Sequence, residues 1–232
     1  MFKIKTIGLI GGMSWESSIE YYRIINETVR ERLGGLHSAK CVMHSVEFEE
    51  IRELQEKGDW ASLADRMADS ALRLRAAGAD FLLICTNTMH IMVDEVSERS
   101  GVEVLHIADA TGREIREKGL KKVGLLGTKF TMEKDFYKKR LEHFGVETLI
   151  PEEEDREEVH RIIFGELCQG VIKPASRERL KKIIDGLAAR GAQGVVLGCT
   201  EIPLIISQQD ARIPVFDTTR IHALAAVNRA MD

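Results

Sequence analysis

The segment Lys5-Thr6-Ile7-Gly8-Leu9-Ile10-Gly11 reads again as Lys121-Lys122-Val123-Gly124-Leu125-Leu126-Gly127, displaced by 116 residues (124 − 8). Each copy is an apolar run closed by glycine, where a backbone turns tightly or comes close to a ligand. A second pair lies at almost the same spacing. Ala77-Gly78-Ala79-Asp80 precedes one apolar run and Arg190-Gly191-Ala192-Gln193 precedes another, 113 residues apart (191 − 78). Chance resemblance is a fair explanation of either match alone, but two matches at nearly one spacing predict similar halves. These are residues 1–115 and 116–232, with part of the C-terminal segment crossing back to the first half. A length of 232 residues accommodates one large domain or two small ones.

The runs Thr6–Ile10, Phe81–Cys85, Val123–Leu126 and Val195–Leu197 read as buried parallel strands. Between them, Trp60–Ala77 carries Leu63, Met67, Ala71 and Leu74 at helical steps, and Arg177–Ala189 carries Leu180, Ile183, Ile184 and Leu187 likewise. Pro174 marks the start of the second helix. This alternation predicts an α/β protein whose halves are each an open, mostly parallel sheet flanked by helices. The acidic run Pro151–Glu158 reads as a solvated loop leading into a helix near Val159.

Bulk chemistry removes several function classes. The net charge is −4 with Lys and Arg scattered, so no basic footprint for nucleic acid is present. The apolar run Ile7–Gly12 is too short for a signal peptide or a membrane span, and a cytoplasmic protein without membrane association is expected. Cys41, Cys85, Cys168 and Cys199 lack the spacing of a zinc site or a redox pair. Cys41 and Cys168 are read as small hydrophobes.

The repeat has a chemical consequence. Thr86 lies eight residues after Gly78 and Cys199 eight residues after Gly191. Thr86-Asn87-Thr88 and Cys199-Thr200-Glu201 therefore occupy corresponding places at the carboxyl ends of equivalent strands, the edge where open α/β sheets bind ligands. Facing each other across a cleft, the two tripeptides suit a reaction that removes a proton from one face of a carbon and returns one on the other.

With these segments in hand, the chain resembles the aspartate/glutamate racemase family over essentially its whole length. The carrying segments are Ile7-Gly8-Leu9-Ile10-Gly11-Gly12-Met13-Ser14, Cys85-Thr86-Asn87-Thr88-Met89-His90, Leu126-Gly127-Thr128 and Gly198-Cys199-Thr200-Glu201. The closest likeness is to the broad-specificity or L-aspartate/glutamate-specific racemases. The resemblance implies an amino-acid substrate, a homodimer, and a cysteine in each half as acid and base, with no pyridoxal phosphate, other cofactor or metal. It places Thr86 and Cys199 in the catalytic roles. It places Met13, Ser14, Gln55, Asn87, Thr88, Thr128, Thr200 and Glu201, together with the catalytic pair, around the substrate. Gln55 on its own merits is a surface glutamine. Where family members carry Cys-Asn-Thr, this chain carries Thr86-Asn87-Thr88, which puts two-way racemisation in question. Cys85 does not restore the pair, since neighbours on a strand point to opposite faces and it aligns with Gly198.

A thiol suits the work because its reference pKa of about 8.5 lies near neutrality and a cationic or hydrogen-bonding neighbour lowers it. A threonine hydroxyl holds no useful alkoxide, but it relays a proton or positions substrate through hydrogen bonds. The resemblance assigns Cys199 to the L enantiomer, so an L-biased enzyme is expected. Charge developing on the substrate carboxylate calls for preorganised donors, for which the turn amides of residues 11–14 and the groups around Asn87, Thr88 and Thr200 are candidates. A phosphate ligand is the competing reading of that glycine turn. His90, His106 and His222 either tune a thiol or satisfy local hydrogen bonds. Glu201 either holds the substrate ammonium, orients a histidine or caps a helix. Two rival functions stay open, a one-cysteine decarboxylase or isomerase of the same superfamily and a non-catalytic amino-acid-binding protein.

Overall fold

Four fully buried apolar strands set the architecture, and the computed structural model describes residues 4–232 around them. Two compact units arise. The first holds the residues up to Ile107 together with His222–Asp232, and the second holds Ala108–Ile221. In the first unit the elements run β1 (Ile7–Gly11), α1 (Trp15–Leu33), β2 (Cys41–Ser45), α2 (Phe48–Lys57), α3 (Trp60–Ala76), β3 (Phe81–Ile84) and α4 (Val93–Ser100). A parallel sheet of order β2-β1-β3 forms its centre.

From Ile107 the chain continues through α5 (Ile107–Glu117), β4 (Lys122–Gly127), α6 (Lys129–Glu133), α7 (Asp135–Glu142) and β5 (Glu147–Leu149). It goes on through α8 (Glu153–Gly165), α9 (Pro174–Ala189), β6 (Val195–Gly198) and β7 (Val215–Asp217) to α10 (Thr218–Met231). The second unit's parallel sheet has the order β5-β4-β6-β7.

The repeat is visible in the strand register. Gly8 pairs with Leu82 and Gly124 with Val195, and adding 116 and 113 to the first pair gives the second (8 + 116 = 124; 82 + 113 = 195). The helices entering β3 and β6 end alike. Gly78 and Gly191 adopt φ of 89° and 96°, the left-handed region that an L side chain enters only with strain. Asp59 caps α3 by accepting from the Ser62 amide at 3.1 Å, and Pro174 occupies the first turn of α9.

Side-chain alternation sorts the first sheet's two faces. Ile10, Leu82 and Ile84 pack with Leu63, Met67 and Leu74 of α3. Ile7, Leu9, Phe81, Leu83 and Cys85 pack on the other face with Tyr21, Ile24 and Ile25 of α1 and with Ala223, Ala226, Val227 and Ala230 of α10. Cys85 is therefore a core thiol, and burial pushes its pKa far up. In the second sheet Val195, Leu197 and Cys199 share a face with Ile162 of α8 and Leu180 and Ile184 of α9.

The acidic run departs from expectation. Glu153, Glu154 and Asp155 form the first turn of α8 itself and are not a loop before it. Carboxylates are favoured there by the partial positive charge of the helix N-terminus, which a reading of charge alone missed. Cys41 and Cys168 are half-buried, at the margins of the two cores. No helix among the described residues is long and apolar enough to cross a membrane.

Candidate active site

Parallel pairing brings the turns after neighbouring strands to one edge. In the first unit Ile10 pairs with Ile84, and the Cys85 amide donates to the Ile10 carbonyl at 2.9 Å. The turn Gly11–Ser14 and the turn Cys85–Thr88 consequently sit side by side at the carboxyl edge. Gly12 has φ of 91°, and a Cβ there would lie 2.4 Å from the Val46 carbonyl oxygen, so only glycine fits. The Gly12 amide donates to Ser18 Oγ at 2.9 Å, and Ser18 Oγ donates to the Ser14 carbonyl at 2.7 Å. That corrects one expectation: the Gly12 N–H is engaged by Ser18 and is not a donor reserved for substrate.

Met13 is buried in the same cluster as Ile51 and Met89. Gln55 is also buried, at 6% exposure, with its amide 3.3 Å from Met89 Sδ. It is therefore no surface glutamine, because α2 turns it inward with Ile51, four residues before it. Asn87 and Thr88 are buried beyond Thr86, where the chain makes a 3-10 turn over Thr88–Met92.

The three histidines form one buried group in the first unit. His90 packs 4.7 Å from His106 and 5.6 Å from His222 between ring centroids. His222 Nε2 lies 2.8 Å from the Leu105 carbonyl, which only accepts, so Nε2 carries the proton. Nδ1 then accepts from Tyr21 O–H at 2.9 Å. Both ring nitrogens of His222 are thus satisfied by local hydrogen bonds.

Burial, aided by the neighbouring His90, lowers the His222 pKa from 6.5 to about 3. The unfolded chain takes up a proton on this residue near pH 6.5 while the folded chain refuses it. The stabilisation is complete above that pH and is lost as pH falls towards about 3, by at most about 1.4 kcal/mol per pH unit. Urea unfolding across this window should show a steeper loss in wild type than in His222→Asn. Equal slopes would contradict the assignment.

In the second unit Gly127 pairs with Gly198, which sets Thr128 beside Cys199 at the carboxyl edge of β4 and β6. Thr128 caps α6, its Oγ accepting from the Thr131 amide at 3.2 Å. Cys199 is 6% exposed and its Sγ–H donates to Glu201 Oε2 at 2.9 Å. Thr200 Oγ–H donates to the same oxygen at 3.1 Å.

Burial first, then the Glu201 carboxylate and Cys168, pushes the Cys199 pKa well above the ordinary thiol range. This reverses the expectation of a neighbour that lowers it. The thiol rests protonated, with an acceptor for its proton already attached. Glu201 is thus partnered by Cys199 and Thr200, and its side chain makes no cap hydrogen bond to the 3-10 turn that follows.

Two buried threonines brace this turn and were not singled out from sequence. Thr218 Oγ donates to the Leu197 carbonyl at 2.7 Å, and Thr219 Oγ to the Thr200 carbonyl at 3.5 Å. Their signal was slight, since Asp217 separates them from the short apolar pair Val215-Phe216. Among the described residues no group of three or more His, Cys, Asp or Glu side chains is disposed to hold a metal ion.

A profile of the Asp/Glu/hydantoin racemase family matches residues 10–226. The chain is 24% identical over 173 residues to the broad specificity amino-acid racemase RacX of Bacillus subtilis (strain 168), spanning 73% of each. A crystal structure of a candidate Asp/Glu racemase from Yersinia pestis is 52% identical, with a TM-score of 0.90 over 98% of this chain and 100% of that one. The structure of an aspartate racemase homologue from Pyrococcus horikoshii OT3 is 37% identical, with a TM-score of 0.84 over the same shares.

Proposed function

The chain belongs to the Asp/Glu/hydantoin racemase family, and we propose that it is a cofactor-independent amino-acid racemase acting on aspartate- or glutamate-like substrates with a bias towards the L enantiomer. The observation that carries this reading is the Cys199–Glu201 pair, a neutral thiol hydrogen-bonded to a buried carboxylate at the carboxyl edge of the second sheet. Cys199 passes its proton to Glu201 as its sulfur takes the Cα proton of an L substrate. The carbanion is neutralised either from the same side, giving L product that carries a solvent hydrogen once the thiol proton has exchanged with water, or from the other side, giving D product. Thr86 occupies the equivalent place in the first unit, where its hydroxyl relays a proton from water to the opposite face of Cα. Amides and hydroxyls around Asn87, Thr88 and Thr200 offset the charge growing on the substrate carboxylate. Met13, Ser14, Gln55 and Thr128 complete the substrate's surroundings.

The enzyme acts as a homodimer in this reading, supported by Trp15, Ile19 and Tyr22, which lie four and three residues apart on α1 and are 62%, 52% and 53% exposed. The test of the pair is Glu201→Gln. Loss of the proton acceptor should lower kcat for L-directed exchange by about 10²–10⁴-fold. The remaining activity should titrate at lower pH, because a neutral amide no longer opposes thiolate formation. An unchanged kcat with an unchanged pH profile would remove Glu201 from the mechanism.

A further inference from the structure

We propose that His90 is a positioning residue for the Thr86 turn, its imidazole tying the Thr86 carbonyl to the first amide of α5. The inference rests on the reading that this turn takes part in proton exchange. His90 Nδ1 lies 2.8 Å from the Thr86 carbonyl oxygen and Nε2 accepts from the Ile107 amide at 3.2 Å. A carbonyl only accepts and an amide N–H only donates, so the ring is neutral with its proton on Nδ1. His90 is 2% exposed, and His106 and His222 flank it, so its orientation is fixed by packing as well as by these bonds.

What the ring holds is more than a loop. The Thr86 carbonyl and the Asn87 N–H belong to one planar peptide, so fixing the carbonyl fixes the direction in which the Asn87 amide points. That amide is among the candidate donors to the substrate carboxylate, where direction matters most as charge develops. At the other nitrogen, Ile107 is both the first residue of α5 and the last residue of the first unit before the chain leaves it. Its N–H is one of the orphan donors of a helix start, and the imidazole satisfies it. The returning chain is fastened beside it, since His222, the first residue back in this unit, donates to Leu105. His90 therefore links the peptide plane after Thr86 to the place where the chain departs.

Two substitutions separate the two bonds. His90→Asn keeps a short amide whose N–H can replace the ring Nδ1–H towards Thr86. His90→Gln reaches further and offers an acceptor to Ile107 instead. The expected result is that His90→Asn retains most of kcat for Cα exchange, while His90→Gln and His90→Ala lose on the order of 10²-fold with little change in KM. Thermal stability measured on all three should not follow that order. In the wild type, long-range ¹H–¹⁵N correlation should find the His90 proton on Nδ1. A proton on Nε2, or a kcat that tracks stability and ignores which bond is kept, would overturn the proposal. A wild type that exchanges neither enantiomer would instead overturn the racemase reading and the catalytic consequence with it, while the tautomer would still decide the tie itself.

Discussion

Cys199→Ser is expected to reduce Cα deuterium uptake from L-aspartate and L-glutamate by at least about 10⁴-fold, the upper range for loss of a positioned acid or base. A serine hydroxyl at this position accepts and donates hydrogen bonds, but it is too weak an acid to form a useful anion at neutral pH. The raised pKa of Cys199 sharpens the point. Its thiolate is already scarce, being opposed by burial and by Glu201, and the step depends on Glu201 receiving the proton as the sulfur takes another. An alkoxide in the same place would be rarer by many orders of magnitude. Cys85→Ser should instead leave exchange largely intact, because Cys85 packs against α1 and α10 in the sheet's other face. Its cost is in stability, about 1–3 kcal/mol for burying a hydroxyl among apolar groups.

Thr86→Cys is expected to raise Cα deuterium uptake from a D substrate by about 10²–10⁴-fold and uptake from an L substrate far less, whereas net racemisation rises alike in both directions because the enantiomers have equal free energy. The substitution supplies a thiol on the side that lacks one. Removing a proton from a D substrate needs a base there, whereas the L-directed step already has Cys199. The measurement is the initial rate of Cα deuterium uptake from each enantiomer, by mass spectrometry, with both aspartate and glutamate. Equal gains in uptake from the two enantiomers would mean that Thr86 does not serve a single face of Cα. No gain in either would mean that the position does not bear on proton transfer.

Much of the fold could be read from residues with one dominant constraint. The strands at Phe81–Ile84 and Val195–Gly198 are buried on both faces, so every residue had to be apolar or small and the run was conspicuous. Strands β2 and β5 were not predicted, and the reason is physical. Cys41–Ser45 lies at a sheet edge and is only partly covered, so it tolerates histidine and serine. Glu147–Leu149 is an edge of three residues, too short to show alternation. Helix α1 was hidden for another reason, since its buried face includes Ser17, Ser18, Tyr21 and Thr28. A search for aliphatic periodicity passes over such a face.

The site divided along the same line. The equivalence of Thr86 and Cys199 follows from spacing, because glycine-closed helices and paired strands leave little freedom in counting. The sign of the electrostatic effect at Cys199 does not, because Glu201 was known to be close in sequence but its rotamer was not. Likewise Gln55 looked like a surface residue until α2 was seen to turn it against Met89. The histidines at 90, 106 and 222 are separated by up to 132 residues (222 − 90), and the return of α10 to the first unit is what brings His222 to the other two.

The most direct test of the account is Cα deuterium uptake in D₂O, followed by mass spectrometry, for wild type, Cys199→Ser and Cys85→Ser side by side. Both enantiomers of aspartate and of glutamate are offered without added pyridoxal phosphate. The account predicts uptake from an L substrate by the wild type and by Cys85→Ser, and none by Cys199→Ser. If Cys85→Ser abolishes exchange while Cys199→Ser spares it, the alignment of the two halves is wrong, and the assignment of Cys199 as the acid and base fails with it.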